Sequence, residues 1–108
     1  MLSMKDMEAD AQTIRSLLKR ETLYLQLGEE CVELAKECFK MARIIQGENP
    51  TKQTFEETKL NIEEELSDIA NVAGVLGIKE NQYTIAQKRK RWIQRIMNSK
   101  KIKEVKHK

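Results

Sequence analysis

Apolar residues recur along the chain at three- and four-residue intervals, the repeat of one face of an α-helix. Met4, Met7, Ala11, Ile14 and Leu18 form the first such row and predict a helix from Ser3 to about Lys19. Leu27, Cys31, Leu34, Cys38, Ala42 and Ile45 form the second, predicting a helix from about Glu21 to Ile45 that stops at Gly47. In Gly47-Glu48-Asn49-Pro50, Gly ends one helix, Asn49 is placed to cap the next and Pro50 to occupy its first turn. The third helix carries Ile62, Leu66, Ile69, Ala73 and Leu76, and Gly77 followed by Ile78 reads as a left-handed cap with an apolar follower. A fourth helix, from about Asn81 to Met97, turns Ile85, Trp92 and Ile96 towards a core and Lys88, Arg91 and Arg95 onto a neighbouring face. Residues after Ile102 are expected to be disordered. Short connections make successive helices antiparallel neighbours, so the predicted class is all-α, an antiparallel bundle of about four helices.

Composition sharpens this picture. A single Pro, four Gly and 34% charged residues suit long amphipathic helices better than a sheet. The 108 residues form one small domain, residues 1–99, followed by a basic tail, 100–108. A chain this short buries little surface on its own, which predicts a core completed by oligomerisation. No apolar run approaches the roughly 20 residues that span a bilayer, and Lys5, Asp6, Glu8 and Asp10 interrupt any signal-peptide core. A cytoplasmic protein without a membrane partner is the expectation. Cys31 and Cys38 lie two helical turns apart, about 10 Å by helical rise, beyond disulfide reach. Both read as small buried apolar residues.

The candidate chemistry lies in acidic pairs. Glu30 and Glu33 are three apart beside the row of Leu27, Cys31 and Leu34, and Glu65 and Asp68 repeat that spacing beside Leu66 and Ile69. Either pair alone reads as a solvated helix face. On antiparallel helices the four carboxylates converge in one groove, where their mutual repulsion calls for a positive partner. An oxygen-only ligand set suits Mg²⁺ and accepts Mn²⁺.

Glu29-Glu30-x-x-Glu33 followed by Glu65-x-x-Asp68, with Leu34, Ile69 and the later Lys88-Arg-Lys-Arg-Trp92, resembles the MazG-type all-α nucleoside triphosphate pyrophosphohydrolases over about Leu23 to Ile96. The resemblance implies that Glu30, Glu33, Glu65 and Asp68 are metal ligands and that a nucleoside triphosphate is cleaved to the monophosphate and pyrophosphate. It implies a homodimer or homotetramer. Glu29 matches the first acidic position, as a holder of a second metal or of a water, and Asn71, one turn beyond Asp68, is a contact for sugar or base. A spare carboxylate, Glu29 or Glu33, would orient the attacking water, and Lys88 and Arg91 would clamp the departing phosphates, across a subunit boundary if need be.

Two other readings compete. A di-iron carboxylate bundle adds Glu-x-x-His ligands, and the single His is His107. A helical nucleic-acid-binding or interaction module would use the basic strip from Lys88 to Arg95 with Trp92, yet leaves the acidic pairs unexplained. Nucleic acid is therefore not the expected partner.

Overall fold

The computed structural model describes residues 3–107, with side chains through Lys103. It consists of α1 (Met4–Leu17), α2 (Arg20–Gln46), α3 (Phe55–Val75) and α4 (Gln82–His107). No strand occurs among the described residues, so the fold is all-α.

Local chemistry accounts for most helix ends. Ser3 and Asp6 close a capping box: the Ser3 hydroxyl accepts from the Asp6 amide at 3.1 Å, and Asp6 accepts from the Ser3 amide at 3.2 Å. The Ser3 side-chain and backbone hydrogen bonds hold the Asp6 carboxyl below the ordinary carboxylate range. Helix α2 ends on Gly47, whose φ of 72° is left-handed. Helix α3 ends in a Schellman motif, with Ile78 N–H donating to Ala73 at 2.8 Å, Gly77 N–H donating to Gly74 at 3.0 Å, and Gly77 at φ 76°. Asn81 caps α4 by accepting from the Thr84 amide.

The start of α3 differs from the expectation. Asn49 and Pro50 lie in the connector, and the cap is Thr54, whose hydroxyl accepts from the Glu57 amide at 3.2 Å. A hydroxyl cap with Glu56 and Glu57 in the first turn satisfies the free amides and the positive helix end better than Asn49 placed further upstream. The end of α4 also differs. No Gly or Pro occurs between Gln82 and His107, so nothing local stops the helix at Met97; the segment 100–107, expected as a disordered tail, continues it. Lys108 lies outside the described residues.

Helices α2 and α3 pack on each other as a hairpin, and α1 packs against α3. The buried apolar centre gathers Ala11, Leu23 and Val75, with Ile14 and Leu76 against it. Arg15 ties α1 down by donating to the Val75 carbonyl at 2.8 Å, one of the acceptors that the end of α3 leaves free.

The seam of the hairpin is rotated from the most hydrophobic row. On α2 the half-buried or buried positions include Leu23, Leu27, Glu30, Leu34, Glu37, Met41 and Ile44, whereas Cys31 and Cys38, expected inside, are exposed. On α3, Ile62, Glu65, Ile69, Val72 and Leu76 face inward, and Leu66 is exposed. Carboxylates thus occupy seam positions that a hydrophobic count assigns to their neighbours. Among the described residues no helix packs along α4: Ile85 is half-buried, but Trp92 and Ile96, expected in a core, are exposed because none of the described elements covers them. The Cα radius of gyration is 19.3 Å. A compact domain of this size would have about 13 Å, so the shape is extended.

Candidate metal centre

The rotated seam brings three carboxylates together. Glu30 comes from α2, Glu65 and Asp68 from successive turns of α3, and each offers an oxygen within 4.8 Å of the others. All three are half-buried. No Lys or Arg pairs with them among the described residues, where the ion pairs are Arg15–Glu8, Lys36–Glu33 and Lys40–Glu37.

Glu65 bears most of the strain of this crowding. Its Oε2 is buried and has no hydrogen-bond partner. Burial pushes its carboxyl above the ordinary range, helped by the charge of Asp68, a hydrogen bond to Glu30, and the charges of Glu30 and Glu33. Glu30 is held by Gln26, whose amide donates to Glu30 Oε1 at 2.7 Å. Gln26 sits four residues before Glu30 on the same face of α2, a spacing at which side chains meet.

Of the remaining sequence candidates, Glu33 lies close enough to raise Glu65, but its carboxylate accepts from Lys36 at 3.2 Å and lies outside the trio. Glu29 and Asn71 are both exposed, on α2 and α3 respectively, and lie outside the trio. Lys88 and Arg91 are exposed on α4, which does not fold back over the hairpin.

Sequence reasoning passed over two residues. Gln26 was legible from its i,i+4 relation to Glu30. Glu37 was legible as the next seam position one heptad after Glu30: its side chain is 13% exposed, its Oε2 is buried without a partner, and its Oε1 accepts from Lys40 at 3.1 Å.

A cation fits the trio. Three carboxylates from two helices, one with a buried oxygen that nothing satisfies, supply hard oxygen donors and an excess of negative charge. The oxygen-only donor set suits Mg²⁺ or Mn²⁺ and offers no soft ligand for zinc or copper. Comparison with protein-family models, with curated proteins and with solved structures finds no significant match to this chain.

Proposed function

We propose that this chain is a divalent-cation-dependent nucleoside triphosphate pyrophosphohydrolase, the activity implied by its resemblance to the MazG type. The observation that supports this reading most is the meeting of Glu30, Glu65 and Asp68 around an unsatisfied buried oxygen of Glu65. These three residues would hold Mg²⁺, with Mn²⁺ as a substitute, and Glu33 would join them on leaving Lys36. When bound, such a cation neutralises phosphoryl oxygens and makes a coordinated water more acidic.

The chain's own residues supply the rest. Gln26 fixes Glu30 in one orientation through its 2.7 Å hydrogen bond, so that ligand is preorganised. Glu29 or Glu33 orients the attacking water and accepts its proton. The water oxygen bonds to the α-phosphorus, the bond from that phosphorus to the bridging oxygen breaks, and pyrophosphate leaves with the electron pair. Asn71 contacts sugar or base. Lys88 and Arg91 balance the charge of the departing pyrophosphate.

Because α4 stands away from its own hairpin, a second copy is the natural source of Lys88 and Arg91. Exposed Tyr24, Leu25, Val32, Phe39, Leu60 and Leu66 on the hairpin favour a homodimer or homotetramer. The proposed enzyme is cytoplasmic. No helix among the described residues is long and apolar enough to cross a membrane.

The test is product identity. Purified protein with Mg²⁺ and a panel of nucleoside triphosphates should release pyrophosphate and monophosphate, and Asp68→Asn should cut turnover at least about 100-fold without unfolding the chain. Orthophosphate as the first product would show that a different bond is cleaved. Wild-type turnover in Asp68→Asn would remove the trio from the mechanism.

A further inference from the structure

Helix α4 stands apart from the rest of the molecule in both packing and charge. Between Gln82 and Lys103 it carries eight Lys and Arg side chains, all exposed, and no Asp or Glu. Among the described residues no other helix packs along it. It runs for 26 residues. At the α-helical rise that is about 39 Å, slightly more than one turn of duplex DNA.

The arrangement of these charges selects the partner. Successive helix residues turn by about 100°. Apart from Lys88 and Arg91, Arg89, Lys90, Arg95, Lys100, Lys101 and Lys103 spread over about two thirds of the circumference, with Trp92 and Ile96 inside that arc. A planar anionic membrane favours a helix with one apolar and one basic side. Here Arg95 lies on one side of Trp92 and Ile96, Arg89 and Lys100 lie on the other, and Lys103 lies between the two apolar residues. A second copy packed along this helix would meet Arg89, Ser99 and Lys103 at the seam positions that alternate with Ile85, Trp92 and Ile96, and would bury cations in its core. A groove with phosphates on both walls meets such a helix on the floor and on either side. The major groove of B-DNA, about 12 Å wide, admits an α-helix of about 10–12 Å diameter.

We propose that α4 is a duplex-DNA-binding helix that enters the major groove, with Arg95 and Lys100 on opposite sides of the floor reaching phosphates on the two rims, Lys90 and Lys101 behind Lys100, and Arg89 and Lys103 beside Trp92 and Ile96 facing the base edges. No residue of the carboxylate trio lies in this site, so DNA binding and triphosphate hydrolysis are tested separately; a copy whose α4 supplies Lys88 and Arg91 to a partner's hairpin does not hold DNA with that helix. Binding is dominated by charge and is largely independent of sequence.

The probe is a fluorescein-labelled 20-base-pair DNA duplex followed by anisotropy with the full chain. If about four phosphates are engaged, affinity falls on the order of 100-fold between about 50 and 200 mM salt. Combined Arg95→Glu, Lys100→Glu, Lys101→Glu and Lys103→Glu should weaken binding at least about tenfold, and the matching Gln variant, which keeps good helix formers, at least about fivefold, with helical content by circular dichroism unchanged. Absence of binding at the lower salt concentration, or wild-type affinity in both variants, overturns the proposal. Tighter binding to phosphatidylserine vesicles than to the duplex, with a blue shift of Trp92 fluorescence, would assign the helix to membranes and overturn it as well.

Discussion

Replacing Glu65 by Gln should make two melting curves cross. In the folded chain, burial, Asp68 and Glu30 raise the Glu65 carboxyl above its ordinary value. A group that binds its proton more tightly when folded adds stability below its unfolded pKa, near about 4.3, and loses that contribution as pH rises through the raised folded value. At neutral pH without metal, Glu65 is therefore a source of repulsion. Gln keeps its shape and removes its charge, so metal-free Glu65→Gln should melt above wild type at neutral pH, and the gap should close as pH falls towards the unfolded value. Divalent cation reverses the order. A ligand at about 100 times its dissociation constant stabilises the folded state by about 2.7 kcal/mol, on the order of 10–20 °C for a domain of this size. The wild type should show this gain with Mg²⁺; the variant, lacking the one carboxylate of the trio with a buried, unpartnered oxygen, should show less than about a quarter of it. Differential scanning fluorimetry with EDTA and with a Mg²⁺ titration reads both effects. A variant that melts below wild type in EDTA at neutral pH refutes the repulsion, and one that gains as much from Mg²⁺ refutes Glu65 as a ligand.

Other perturbations separate the centre from its scaffold. Gln26→Ala removes the 2.7 Å hydrogen bond to Glu30. It should weaken Mg²⁺ binding about 10-fold or more by isothermal calorimetry, leaving metal-free stability little changed. Leu23→Ala opens a cavity beside Ala11 and Val75. It should cost about 3 kcal/mol in urea unfolding; a cost under about 1 kcal/mol would show that this end of the hairpin is not a packed core. Gly77→Ala forces a side chain into the left-handed region at φ 76°. The same assay should read a cost of about 1–2 kcal/mol.

The one buried polar residue among those described illustrates a limit on reading sequence. Thr58 is fully buried, its hydroxyl donating to the Thr54 carbonyl at 2.8 Å. One turn of backbone satisfies it, so it needs no tertiary partner, and an apolar pattern does not single it out. The same local chemistry made the Gly47 and Gly77 ends legible: a left-handed residue after an apolar row carries its own conformational reason.

The amino-acid sequence by itself determined the four helices, because three- and four-residue apolar spacing and terminal glycines act within a few residues. It also determined that Glu65 and Asp68 share one face of α3, because helical geometry alone puts residues three apart together. Which face turns inward was a tertiary decision. The hairpin seam took Glu30, Glu37 and Glu65 and left Cys31, Cys38 and Leu66 outside, because the rotation of a helix answers to the surface opposite it as well as to its own hydrophobicity. That rotation drew Glu30 from α2 to the pair on α3 and left Glu33 with Lys36. The exposure of α4 was likewise decided in three dimensions. Its apolar positions predicted a core, but a helix buries a face only where another element arrives to cover it, and among the described residues none does.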